Sequence, residues 1–105
     1  MHKPTALSPV EAYEAIQRIL NIRDGVSWTH HARDRAAQRH FTADDVLHVL
    51  RRGRVQPNPE WNEKFSDWVY TVNGVDCDGI ALAVVIAIEP EWTRITLITG
   101  KDTND

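Results

Sequence analysis

Several residue types and segments are scarce in this chain of 105 residues. It has a single cysteine, Cys77, which excludes a disulfide within the chain and indicates a reducing compartment. No apolar run approaches the roughly 20 residues that span a bilayer, so we expect no membrane partner. Residues 1–4 are not followed by the apolar stretch and cleavage site of a secretory signal. We therefore expect a cytoplasmic protein.

Positive charge is scarce as well. Twelve Lys and Arg residues stand against 15 Asp and Glu, a net charge of −3, which argues against a non-specific nucleic-acid binder. The charge is unevenly distributed, because residues 30–54 carry an excess of arginine and residues 55–105 an excess of acids. This separation of positive and negative charge suits a phosphate site on one face and a basic partner on another. The alternative is that arginines and acids pair across the fold.

Three helices are predicted in the first half of the chain. Ser8 is followed by Pro9 and then by Glu11, which is typical of a helix start with a capping box. Thr42 with Asp45 repeats the capping pattern. The predicted helices cover residues 9–22, residues 30–40 and the segment from Thr42 to its stop at Gly53.

The second half is predicted to form a sheet. Residues 65–72 are rich in β-branched and aromatic residues, and residues 94–99 favour a closing strand. Residues 80–88 are nine apolar residues without alternation, which indicates a central strand covered on both faces. Turns are predicted at Asn73-Gly74 and Asp78-Gly79.

This order of elements predicts an α+β fold in one domain, residues 1–105. Two to three N-terminal helices would pack on a C-terminal antiparallel sheet of about four strands.

The predicted second helix concentrates histidine and arginine. His31, Arg35, Gln38 and Arg39 would occupy one arc of roughly 100° on a helix. RNA cleavage without a metal needs proton-transfer groups and cations that stabilise the charged phosphorane. Histidine suits proton transfer because its ordinary pKa is near 6.5, and the arginine fork matches two phosphate oxygens.

We therefore predict a site built on this helix, with additions from the sheet. The predicted catalytic residues are His31, Arg35, Arg39 and Tyr70. The predicted substrate-binding residues are Gln38, Thr99, Lys101 and Arg51.

A structural role for the same residues is the alternative. His31 would then be a half-buried histidine that fixes the helix to the sheet, and Arg35 and Arg39 would form ion pairs. Their candidate partners are Asp44, Asp45 and Asp67.

A metal site is not expected, although the chain has five histidines. His30 and His31 are adjacent and would point about 100° apart on a helix. No His or acid stands four residues after His31, and Cys77 has no neighbouring cysteine. We expect neither a metal nor another cofactor.

One segment reads His31-Ala32-x-x-Arg35-x-x-Gln38-Arg39-x-Phe41-Thr42-x-x-Asp45-Val46-x-x-Val49-Leu50-x-x-Gly53. With the strands that follow, it resembles the small bacterial domain family grouped with BrnT-type toxins, in the RelE/ParE-like superfamily. The resemblance covers roughly residues 28–100 and leaves the helix at 9–22 as an extension for docking or dimerisation. It implies a RelE-like fold and, as in toxin members, RNA cleavage neutralised by an antitoxin. His31, Arg35 and Arg39 match the motif, and Tyr70 and Thr99 match it approximately.

The function expected from these observations is a toxin-like, metal-independent endoribonuclease of a toxin-antitoxin type system. Its partners would be RNA and a cognate antitoxin protein, and the chain could form a homodimer. One alternative is a non-catalytic module that binds protein or nucleic acid through the same helix. Another is an immunity-like or antitoxin-like protein whose acidic half masks a basic toxin.

Overall fold

The computed structural model describes residues 5–89, 91 and 93–101, and within them the chain forms three helices and six strands. The helices are α1 (Pro9–Leu20), α2 (His30–Arg39) and α3 (Ala43–Arg52). The strands are β1 (Val26–Trp28), β2 (Arg54–Val55), β3 (Glu60–Asn62), β4 (Asp67–Val75), β5 (Ala81–Ile88) and β6 (Ile95–Lys101). The predicted α+β class is confirmed.

The predicted helix starts are confirmed by side-chain caps. Ser8 Oγ accepts a hydrogen bond from the N–H of Glu11 at 3.1 Å, and the Glu11 carboxylate accepts one from the N–H of Ser8 at 3.0 Å. Thr42 and Asp45 form the same reciprocal pair at the start of α3. These bonds satisfy N–H groups that have no partner inside a helix, so each cap fixes where its helix begins.

The sheet has the strand order β1-β6-β5-β4-β2, and β3 also pairs with β4. The sequence predicts about four antiparallel strands, whereas the described residues form six, and β1 runs parallel to β6. Three of the six strands, β1, β2 and β3, contain only two or three residues each. Segments this short do not display a period, so the sequence pattern could not reveal them.

The predicted turn at Asn73-Gly74 is wrong, because β4 continues through both residues to Val75. Gly74 is required there by close packing. A Cβ atom on Gly74 would lie 3.2 Å from the Gly53 Cα atom and 3.4 Å from a methyl group of Val49. The glycine therefore lets α3 and its end approach the sheet.

The predicted turn at Asp78-Gly79 is confirmed. Gly79 has a φ of 81°, which favours glycine, and Asp76 Oδ1 accepts hydrogen bonds from the N–H groups of Asp78 and Ile80. This turn joins β4 to β5.

All three helices pack on one face of the sheet and share one hydrophobic core with it. The fully buried side chains at the centre of this core include Ile16, Ile19, Val46, Val49, Leu50, Val72, Val84, Ile86, Ile95 and Leu97. Burial of this kind contributes roughly 1.5–3 kcal/mol for each large aliphatic side chain. The core lies between the helices and β4, β5 and β6.

The opposite face of the sheet, called the outer face here, is formed by Val69, Thr71, Asn73, Ala83, Val85, Ala87, Thr96 and Thr99. These residues alternate along their strands with residues of the core. The prediction that β5 is a central strand is confirmed, but within the described part of the chain the helices cover it on the core side only.

The α1 helix is part of the core, although the family-like segment predicted from the sequence does not include it. Its residues Ala12, Ala15, Ile16 and Ile19 have no exposed surface. No helix in the described ranges is both long and apolar enough to cross a membrane.

Candidate functional site

The α2 helix is fixed to β6 at its start. Thr29 Oγ1 accepts a hydrogen bond from the N–H of Ala32 at 3.0 Å and lies 3.2 Å from the carbonyl oxygen of Ile98, to which it donates. The N–H of Thr29 donates to the carbonyl of Leu97 at 3.1 Å. The N-terminus of α2 is therefore held at the edge of the sheet.

The residue that follows α2 is fixed as well. His40 has a φ of 59° and ends the helix, and the chain then turns Phe41 into the core. The Phe41 ring stacks on Trp28 with 6.3 Å between ring centroids. It also lies against Gly100, where a Cβ atom would come within 2.7 Å of the ring.

Between these anchors, α2 buries little of its own surface. Ala32 is its one buried residue, whereas His31, Gln38 and Arg39 are exposed and Arg35 is half-buried. At 100° per residue, His31, Arg35 and Gln38 lie within roughly 60° of one another about the helix axis. We call this surface the α2 flank.

Arg35 has an unusual environment on the α2 flank. Its Nε atom is buried and has no hydrogen-bond partner among the described residues. A buried donor without an acceptor costs free energy, and more so when the group is charged. Asp45, one of the candidate partners of Arg35, accepts hydrogen bonds from Thr42 and Cys77. Arg35 as a whole is half-buried, and an anion beside its guanidinium would offset part of this cost through its charge.

Arg39 lies at the far end of α2 in a different environment. It lines a groove together with His40, Phe41 and Ile80, and the acidic residues Asp76 and Asp78 of the β4-β5 turn line the same groove. The structure therefore places Arg39 near carboxylates as well as near the α2 flank.

Tyr70 is in the core rather than on the α2 flank. It is 3 % exposed, and its hydroxyl accepts a hydrogen bond from the N–H of Leu7 at 2.9 Å. Burial raises the pKa of Tyr70 above its ordinary value of 10.0. The hydroxyl thus connects the segment before α1 to the sheet.

The predicted substrate-binding residues do not lie together. Gln38 is on the α2 flank, whereas Thr99 pairs with Val85 on the outer face. Arg51 is exposed at the end of α3, in a groove that His48 and Cys77 also line. Lys101 is the last residue of β6, and its side chain lies outside the described part of the structure.

Asp45 is an important residue whose full role the sequence did not reveal. It is 8 % exposed and accepts hydrogen bonds from the backbone N–H of Cys77 at 2.9 Å and of Thr42 at 2.8 Å. These two bonds hold the pKa of Asp45 below its ordinary value of 3.8. The capping pattern predicted the bond to Thr42, but the link to the β4-β5 turn depends on the tertiary fold.

Cys77 is poorly suited to nucleophilic chemistry. It is exposed, and the hydrogen bond of its thiol to Asp45, with the negative charge of that carboxylate, raises the pKa of the thiol above the ordinary value of 9.0. The reactive thiolate is therefore scarce at neutral pH. Within the part of the chain that the structure describes, no group of three or more His, Cys, Asp or Glu residues could hold a metal ion.

Comparison with known proteins connects this chain to one domain family. No curated protein and no solved structure matches the chain. Residues 28–99 match a domain of unknown function, DUF4258, and this segment runs from the end of β1 through α2 and α3 into β6. The match shows no link to BrnT-type or RelE-like toxins, so that resemblance stays a prediction. Because the matched segment spans well over half of the sequence, the chain belongs to the DUF4258 family, whose function is unknown.

Proposed function

We propose that this protein binds RNA on the α2 flank and cleaves it without a metal, as a toxin-like endoribonuclease. The observation that supports the proposal is the buried Nε atom of Arg35, which lacks an acceptor on the same flank as His31 and Gln38. A phosphate group carries the oxygen acceptors and the negative charge that a guanidinium binds best.

The reaction is a transesterification within the RNA strand. Neutral His31 accepts the proton of a 2′-hydroxyl, and the 2′ oxygen attacks the adjacent phosphorus. The bond from phosphorus to the 5′ oxygen breaks, and that oxygen takes a proton from water or from the imidazolium. The products are a 2′,3′-cyclic phosphate and a 5′-hydroxyl.

The arginines stabilise the charge that develops on the phosphorane oxygens. Arg35 binds the scissile phosphate, and Gln38 contacts the adjoining nucleotide. Arg39 adds a second cation at the end of α2.

A cognate antitoxin would neutralise the protein by covering the α2 flank, which is exposed apart from the half-buried Arg35.

One observation favours a second function, RNA binding without cleavage. The hydroxyl of Tyr70, a catalytic residue predicted from the sequence, accepts a hydrogen bond from Leu7 in the core. His31 would then lack a protein partner for proton transfer, and α2 would serve as a binding surface only.

The chain offers a matched control for each test variant. His30 is exposed next to His31 but points about 100° away, and Arg33 is exposed about 200° from Arg35 around α2. Purified wild type and the variants His31→Ala, His30→Ala, Arg35→Ala and Arg33→Ala would be incubated with a mixed-sequence oligoribonucleotide in the presence of EDTA. Binding and cleavage would be measured in parallel, and thermal unfolding would confirm that each variant is folded.

We expect His31→Ala to slow cleavage by about 100-fold or more while RNA affinity stays close to that of wild type. Arg35→Ala should weaken RNA binding by about tenfold or more. The two control variants should behave like wild type, and an RNA with a 2′-deoxy sugar at the cleavage position should stay intact. Binding that depends on Arg35 without any cleavage would establish the second function. A folded wild type that neither binds nor cleaves RNA would refute both.

A further inference from the structure

The outer face of the sheet is apolar along its central strand, β5. Exposed faces of antiparallel strands normally carry polar residues that alternate with core residues. On β5, however, every residue that points to the outer face is apolar, namely Ala81, Ala83, Val85 and Ala87. Val69 and Thr71 on β4 continue this surface.

The side chains of the outer face are also short. Ala83 and Ala87 are 2 % and 3 % exposed, so the surface of β5 on this side comes mainly from Ala81 and Val85, which are half-buried. Neither alanine belongs to the core cluster under the helices. A surface of this kind allows another sheet to approach to the roughly 10 Å typical of packed sheets.

The two ends of the outer face carry opposite charges. Glu60 pairs with Val69 and lines the groove of about 200 Å³ beside Thr71 and Val85, which places it on this face. Strand alternation places Asp67 at the same end, and Glu89 follows the last residue of β5 there.

Arg54 lies at the other end of the outer face. It pairs with Asn73, whereas its neighbour Val55 is buried in the core, so its side chain is on the outer side. Asp67 and Asn73 are six positions apart along β4, which corresponds to about 20 Å.

Asp67 and Glu89 lie near one another at the acidic end, and the N–H of Glu89 donates to the carbonyl of Arg94, which places Arg94 beside Glu89. Burial, followed by the nearby charge of Glu89, raises the pKa of Asp67 above its ordinary value of 3.8. A cation brought to this end would relieve the repulsion between the two carboxylates. The same acids disfavour an RNA strand, whose phosphates they would repel.

We propose that two copies of this chain form a homodimer by packing outer face against outer face about a two-fold axis. In this arrangement the two copies run in opposite directions, and Arg54 of each copy meets the acidic end of the other. A two-fold interface uses the same surface on both subunits, so that surface must be self-complementary. A face that is apolar at its centre, acidic at one end and basic at the other meets this condition.

The dimer leaves α2 accessible, because α2 packs on the other side of the sheet. The proposal is therefore independent of the RNA-binding proposal, and either can fail alone. The oligomeric state of the full chain would be measured by light scattering coupled to size-exclusion chromatography, and the dissociation constant by sedimentation velocity over a wide range of concentration.

Two pairs of variants test the interface. Val85→Glu places a charge at the centre of the outer face, and Val10→Glu places the same charge on α1, where Val10 is 67 % exposed. Arg54→Glu makes the basic end acidic, and the double variant Arg54→Glu/Glu60→Arg exchanges the charges of the two ends. Arg54 and Glu60 are both exposed, so neither substitution disturbs the core.

We expect wild type and Val10→Glu to be dimers of equal stability. Val85→Glu should be monomeric, and Arg54→Glu should raise the dissociation constant by about tenfold or more. The charge exchange should restore most of that loss. A monomeric wild type at every concentration would overturn the proposal, as would a dimer that neither Val85→Glu nor Arg54→Glu weakens.

Discussion

Helices α2 and α3 have the same length, ten residues, and each begins at a threonine cap, yet they contribute to the molecule in opposite ways. The α3 helix buries four residues, Asp45, Val46, Val49 and Leu50, whereas α2 buries Ala32 alone. Stability therefore depends on α3, and the surface of α2 is available for binding. The difference shows that similar local signals can produce a helix that is part of the core and a helix whose surface stays exposed, in the same small fold.

The two helices also differ in the contacts that hold them in place. At its end, α3 is held by α1, because Gln17 donates to the carbonyl of Leu50 at 2.8 Å and the Tyr13 hydroxyl donates to that of Arg51 at 3.1 Å. At its start, Asp45 connects α3 to the β4-β5 turn. By contrast, α2 is held by Thr29 and Phe41, the residues that flank it.

The largest expected effect is in the core of α3. Leu50→Ala removes a fully buried side chain and should lower the free energy of unfolding by about 2–5 kcal/mol. Gln38→Ala on α2 should change it by no more than about 0.5 kcal/mol, because the side chain is exposed. Urea unfolding followed by circular dichroism would measure both. Equal losses of unfolding free energy in the two variants would contradict the conclusion that α3 contributes more to stability than α2.

The next effect in size is at Asp45. Asp45→Ala leaves the N–H groups of Thr42 and Cys77 without their acceptor, so we expect a loss of about 2 kcal/mol in the free energy of unfolding. Asp44→Ala is the matched control, since Asp44 is exposed in the same helical turn and should cost a few tenths of a kcal/mol through the helix dipole. Chemical unfolding at neutral pH would compare the two variants.

The loss at Asp45 should depend on pH in a defined direction. The pKa of Asp45 in the folded protein lies below its ordinary value of 3.8, so its carboxylate stabilises the fold fully above that value. This contribution is lost as the pH falls below 3.8 and through the folded pKa. The difference in unfolding free energy between wild type and Asp45→Ala should therefore be constant near neutral pH and shrink in acid. A difference that grows in acid would contradict this assignment.

The smallest expected effect is at the threonine N-caps, which α2 and α3 have in common. Thr29→Ala and Thr42→Ala each remove a cap, and each should cost about 1 kcal/mol. Serine at either position should restore most of the loss, since its hydroxyl accepts the same hydrogen bond. If Thr29→Ala had no effect on thermal unfolding while Thr42→Ala did, the start of α2 would not be capped as described.

The helices were predictable because their signals are local. Ser8 with Glu11 and Thr42 with Asp45 are pairs three residues apart, and each closes a cap that does not depend on the rest of the chain. Gly74 was misread for the opposite reason. The same glycine suits a turn or a close contact, and the approach of Val49 and Gly53 selects the contact.

The candidate site was predictable only in part. Helical spacing alone places His31, Arg35 and Gln38 on one flank. Spacing says nothing about the surroundings of an atom, so the buried Nε of Arg35 and the engagement of Tyr70 with Leu7 became visible only in the fold. The RNA chemistry assigned to these residues stays a proposal.

The sequence by itself determined the order of the three helices and the three long strands, the caps, the turn at Asp78-Gly79 and the face of α2 that carries His31, because each depends on residues close in the chain. The tertiary structure decided the short strands β1, β2 and β3, the link from Asp45 to Cys77, and the side of β5 that the helices cover. These features join segments that are far apart in sequence. An apolar strand such as β5 predicts that both of its faces are shielded from water. The strand sequence does not indicate whether a helix of the same chain or a second copy of the chain shields a given face.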